Sequence, residues 1–130
     1  MRKEVYVTPN APRPTGPYSQ ALKVGDFLFI AGTLGVEPDT DELVEGGVAA
    51  QTRKAMENIR NVLRENGLDT KNIVKANLFI KNMDDFVVIN EVYGSFFPDG
   101  KYPVRTCVEI SRTPKNALIE IECTAVRLED

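Results

Sequence analysis

Two short, largely apolar runs, Ala21–Val24 and Phe27–Gly32, flank the polar Gly25-Asp26 pair, and together they predict a hairpin. A period of two appears at Ile73–Ile80, with Val74, Ala76, Leu78 and Ile80 on one face and Lys75, Asn77 and Phe79 on the other. It returns again at Val104–Ile110 and at Ala117–Leu128, which are expected to lie side by side as antiparallel strands. A short strand is expected at Val5–Val7.

From Val48 the period changes to that of a helix. Val48, Thr52, Ala55, Met56, Ile59, Val62 and Leu63 form an apolar stripe, and Asn66-Gly67 supplies a stop. A second helix is expected from Asp84 to Phe97, with a core stripe of Phe86, Ile89, Val92 or Tyr93, Phe96 and Phe97, ended by Pro98-Asp99-Gly100. Thr8–Gln20 carries four prolines and a glycine, which hold it extended. Gly35–Gly47 reads as a loop.

The resulting order is β-β-β-α-β-α-β-β, an α+β class with both helices on one side of a mixed sheet. The other side of the sheet is then bare, and it is expected to carry Phe79, Cys107, Val126 and Phe27 or Phe29. Uncovered aromatic and β-branched groups predict that subunits pack their sheets together into a closed homo-oligomer.

Arg105 stands inside an alternating strand, and a permanently charged guanidinium there calls for an anion. If Val104, Thr106, Val108 and Ile110 face the core, then Arg105, Cys107 and Glu109 share the opposite face with Glu120 and Glu122. Cys107 and Cys123 would then point to opposite faces, which argues against a disulfide.

The length, 130 residues, suits a single domain spanning 1–130, and 42% hydrophobic with 27% charged residues excludes a disordered chain. A net charge of -3 without a basic run disfavours nucleic acid as a partner. There is no apolar run of membrane-spanning length, and the charged start Met1–Glu4 leads straight into a strand, so a cytoplasmic protein is expected. Histidine is absent, so any chemistry falls to carboxylates, thiol, hydroxyls, backbone groups or water, with neither a His-ligated metal nor a His-based nucleophile.

The blocks Gly16-Pro17-Tyr18-Ser19-Gln20-Ala21, Ala31-Gly32, Asn90–Phe97, Tyr102–Cys107 and Ile119–Glu122, in that order, resemble the reactive intermediate deaminase (RidA, YjgF) family over nearly the full length. The resemblance implies a chorismate-mutase-like fold and a homotrimer whose sheets form a central barrel, with clefts between neighbouring subunits. It also implies hydrolysis of 2-imino acids such as 2-iminobutanoate and 2-iminopropanoate, or their enamine tautomers, to 2-keto acids and ammonia, without a cofactor. By the same resemblance Arg105 grips the substrate carboxylate and Glu120 holds or activates water, while Tyr18, Gly32 and Cys107 line the pocket. The chain departs from the family's Ser-Gly-Gln-Ile-Pro block, having Ala31-Gly32-Thr33-Leu34-Gly35, and carries Thr113 where leucine is usual. These changes bear on substrate preference more than on the reaction.

The residues themselves agree with that chemistry. A guanidinium holds a carboxylate by two parallel charge-assisted bonds, and a buried glutamate of raised pKa can exchange protons with water and nitrogen. Cys107 is expected to offer backbone groups and shape, since no base activates its sulfur. Glu109, Glu122 and Cys123 read as structural. Two other functions compete: a keto-acid or amino-acid sensor using the same arginine without turnover, and a ribonuclease or translation inhibitor, which the acidic charge disfavours.

Overall fold

A computed structural model of the chain describes residues 1–129. Its main sheet has six strands in the order β1-β2-β3-β8-β6-β7. These are β1 (Lys3–Tyr6), β2 (Ala21–Val24), β3 (Phe27–Leu34), β6 (Ile73–Ile80), β7 (Val104–Glu109) and β8 (Ile119–Val126). The helices are α1 (Gly47–Glu65) and α2 (Phe86–Gly94). The expected loop after β3 contains a small hairpin of its own, β4 (Val36–Glu37) with β5 (Glu42–Leu43).

The long helix forms as its stripe requires. Thr52, Ala55, Met56, Ile59, Val62 and Leu63 are buried against the sheet, and the helix ends at Asn66 with Gly67 in the left-handed region that glycine tolerates. Burying each large aliphatic side chain stabilises the fold by about 1.5–3 kcal/mol. Alternate residues of β8, namely Ile119, Ile121, Cys123 and Ala125, meet that stripe from the sheet, together with Ala76, Leu78 and Ile80 of β6. The second helix is shorter than its apolar stripe suggests, because a 3₁₀ turn at Met83–Asp85 precedes it and Phe96 and Phe97 lie past its end.

The two C-terminal strands are not neighbours. Strand β6 lies between them, antiparallel to β8 and parallel to β7, so β7 is a sheet edge. Alternation reports which residues share a face of one strand but carries no information on which strand lies beside it.

The face expected for Arg105 is also reversed. Arg105 pairs in register with Ala76, which in turn pairs with Cys123, and both of these are buried under the helices. Arg105 and Cys107 therefore lie on the helix side, and Val104 and Val108 are the exposed residues of β7. Cys107 and Cys123 accordingly share one face; they remain free, with β6 running between their strands.

The side opposite the helices is open. Phe27 and Phe29 stack with ring centres 6.0 Å apart yet remain 44% and 43% exposed. Val104 and Val108 are exposed on the same side at the β7 edge, with Thr124 and Lys75 between Val104 and the two rings. No helix among the described residues is long and apolar enough to cross a membrane.

Candidate functional site

Three of the five expected site residues meet on the open face. Gly32 lies at an irregularity in the β3–β8 register, between the Ile30–Cys123 and Thr33–Ile121 pairs, which brings the β3 backbone down onto Glu120. A Cβ on Gly32 would stand 2.8 Å from the Glu120 carboxyl carbon, so the approach depends on the missing side chain. Tyr18 completes the group, its hydroxyl accepting from the Thr15 amide at 3.2 Å. These residues line a cavity of about 560 Å³, with Arg13 and Thr15 on one wall and Phe79 and Lys115 on another.

The wall is rigid for a reason visible in its hydrogen bonds. The buried Gln20 amide accepts from the Thr8 backbone N–H at 2.8 Å and donates to the carbonyls of Thr8, Ala11 and Pro12. The proline-rich segment thus satisfies its backbone through one side chain instead of a strand partner. Glu65 at the end of α1 anchors the same segment, accepting from Tyr6, Thr8 and Asn10 at 2.8, 3.0 and 3.1 Å.

Burial pushes the Glu120 carboxyl above its ordinary value, and the like charge of Glu122 pushes it the same way. Glu122 itself accepts from the Asn77 side-chain amide at 3.0 Å. A partly desolvated carboxyl beside a cavity holds its proton more tightly than a solvated one, which suits it to take up and return a proton.

Arg105 and Cys107 belong to a different place. The Arg105 guanidinium lies 5.4 and 5.2 Å from the ring centres of Phe86 and Tyr93, and Nη1 donates to Asn90 Oδ1 at 2.8 Å. No carboxylate pairs with it among the described residues. With Tyr102 and Pro103 these groups border a second cavity, of about 410 Å³. Burial pushes the Tyr93 phenol up to about 12 despite the adjacent guanidinium, so it stays protonated. Burial likewise raises the Cys107 thiol, with Arg105 opposing, and the sulfur is not poised as a thiolate.

Asn90 and Phe86 are the site residues that sequence reasoning did not assign. Phe86, Asn90 and Tyr93 are spaced four and three apart, one face of a helix, and a lone amide inside an otherwise apolar stripe was the available signal. Among the described residues no cluster of His, Cys, Asp or Glu is arranged to hold a metal.

The chain thus carries two separate groups on opposite sides of its sheet: a carboxyl, a tyrosine and a close backbone on one, a guanidinium at a sheet edge on the other. Residues 8–127 match the family described as endoribonuclease L-PSP. The chain belongs to this family, the RutC, YjgF and RidA group.

Among its relatives, a RutC family protein of Pyrococcus abyssi is 46% identical over 127 residues, covering 98% of this chain and 99% of that one. A 2-iminobutanoate/2-iminopropanoate deaminase of Dermatophagoides farinae is 39% identical over 124 residues, covering 95% and 96%. The crystal structure of E. coli TdcF with bound serine superposes with a TM-score of 0.91 at 38% identity, over 97% of this chain and 100% of that one. The mixed sheet with two helices is therefore the YjgF-like fold.

Proposed function

We propose that the protein hydrolyses small 2-imino acids, such as 2-iminobutanoate and 2-iminopropanoate, to 2-keto acids and ammonia, at sites built between copies of the chain. The observation that carries this reading is the separation of Arg105 from Glu120 by the sheet, with each half otherwise prepared for one end of such a substrate. A second copy whose β7 edge lies across the open face brings the two together, and it also covers the exposed Phe27, Phe29, Val104 and Val108. A closed ring of three copies repeats this contact and leaves no β7 edge uncovered.

In such a site Arg105 holds the substrate carboxylate by two parallel bonds, which sets the imine carbon over the Glu120 cavity. The Glu120 carboxylate takes a proton from water as the hydroxyl adds to the imine carbon, forming a tetrahedral carbinolamine. The carboxyl returns that proton to nitrogen and then carries the carbinol O–H proton to nitrogen as well, so that the C=O forms, the C–N bond breaks and ammonia leaves with the keto acid behind it. General acid–base help of this kind contributes about 100- to 10,000-fold. Tyr18 and the backbone at Gly32 shape the pocket, and Cys107 lends its main chain and bulk.

The Dermatophagoides relative is named for this activity, which supports the reading. The family description names a ribonuclease, but a net charge of -3 without a basic stripe gives RNA little to bind. RNA cleavage that survives purification and vanishes in Arg105→Ala would favour that description instead.

Mixing inactive subunits tests the arrangement. Arg105→Ala and Glu120→Ala proteins are each expected to lose most imine hydrolysis while keeping the oligomer. After joint unfolding and refolding at equal amounts, random trimers should recover about one quarter of the wild-type sites, because each intact site draws its arginine and its glutamate from different chains. A mixture as inactive as its parents, or a wild-type rate in Arg105→Ala alone, refutes the proposal.

A further inference from the structure

The cavity that holds Glu120 contains a cation that the reaction does not use. Two basic side chains line it, Arg13 and Lys115. Lys115 is already occupied, its Nζ 3.0 Å from Asp41 Oδ2, which ties the β4–β5 hairpin to the turn before β8. Arg13 has neither an ion-pair partner nor a side-chain hydrogen bond among the described residues, although Glu120 and Glu122 line the same cavity.

The backbone leading into Arg13 is held. Pro12 and Pro14 restrict the chain around it, the Gln20 amide holds the Pro12 carbonyl at 2.8 Å, and the Asn61 amide holds that of Asn10 at 2.9 Å. A guanidinium on such a fixed strap loses little more than side-chain freedom when it binds an anion.

We infer that Arg13 receives the distal carboxylate of a short 2-imino dicarboxylate, so that Arg13 makes the site selective for substrates with an acidic side chain. The inference rests on the reading above, in which Arg105 of another copy takes the first carboxylate, leaving a second anionic group to face the Glu120 cavity. The acids already there do not forbid this. Glu122 is engaged by Asn77, and Arg13 supplies the charge that offsets a further carboxylate.

Binding of the product-like probes 2-oxoglutarate and 2-oxobutanoate tests this by calorimetry on the wild-type, Arg13→Ala and Arg105→Ala oligomers. In parallel, hydrolysis is followed for the imines that an amino-acid oxidase makes from glutamate and 2-aminobutanoate. Arg13→Ala should shift the ratio of diacid to monoacid affinity, and of the two kcat/KM values, about tenfold toward the monoacid, since one partly exposed charge-assisted contact is lost.

A ratio that does not move overturns the inference, and so does a wild-type protein that ignores 2-oxoglutarate. Equal losses for both acids that added salt abolishes would mean general steering, which also overturns it. Failure of the underlying reading looks different: Arg105→Ala would keep wild-type affinity for both probes, while the Arg13 ratio is read independently.

Discussion

Arg105 Nη1 donates to Asn90 Oδ1 at 2.8 Å, so the guanidinium on the sheet edge is aimed by a side chain of the helix beneath it. The aromatic rings of Phe86 and Tyr93 bracket the same group without supplying a counter-charge. The arrangement satisfies part of the guanidinium and leaves the rest of its fork for an anion.

Asn90→Ala should therefore act through Arg105. Keto-acid binding is expected to weaken about tenfold, and KM for the imine to rise more than kcat falls, because the fork loses its orientation but not its charge. A purely structural asparagine would lower Tm with both kinetic constants preserved in the folded fraction. That outcome would dismiss the positioning role.

Gly32→Ala places a methyl 2.8 Å from the Glu120 carboxyl carbon and 3.1 Å from Oε1. The glutamate can swing away, so the fold should tolerate the change with a small loss of Tm. Displacing the proton-transfer group by about 1 Å is nonetheless expected to cost up to about 100-fold in kcat. Full activity in Gly32→Ala would show that Glu120 does not need its observed position.

The pH dependence should follow Glu120. Burial and the Glu122 charge both hold Glu120 above its ordinary value, so kcat/KM should rise with pH as Glu120 ionises. Glu122→Gln removes the like charge and should move this limb to lower pH. A limb that stays in place would assign it to another group. By linkage, a carboxyl whose folded value is raised costs stability as pH climbs past its unfolded value, so Glu120→Gln should raise Tm at neutral pH while depressing turnover.

Glu65 shows the opposite sign. Its three donors, Asn10 first and then Tyr6 and Thr8, lower its pKa from the ordinary 4.5. The native carboxyl thus releases its proton more readily than the unfolded one, and its contribution is present above about 4.5 and fades as pH falls through the native value. Glu65→Gln should lower Tm at about pH 6 and narrow that gap at about pH 3, followed by thermal melts. An equal gap at both pH values would remove the carboxylate from the account.

Much of this fold was legible in the chain. Strand Ile73–Ile80, the hairpin about Gly25-Asp26 and the long helix ending at Asn66-Gly67 emerge where periodicity and turn chemistry place them, because these signals are local. The two small strands inside Gly35–Gly47 are too short for alternation to register. The gathering of Tyr18, Gly32 and Glu120 also followed the motif blocks, whereas the role of Asn90 needed the helix laid against β7.

The sequence by itself determined which residues alternate, which stripe the helices bury and which side chains carry charge, since each depends on neighbours a few positions away. Only the tertiary structure decided that β6 lies between β7 and β8, and with that the face on which Arg105 stands. A period of two is identical for either choice of partner and either orientation of the strand, and the tie is broken by packing of Ala76, Cys123 and Cys107 under α1 and α2.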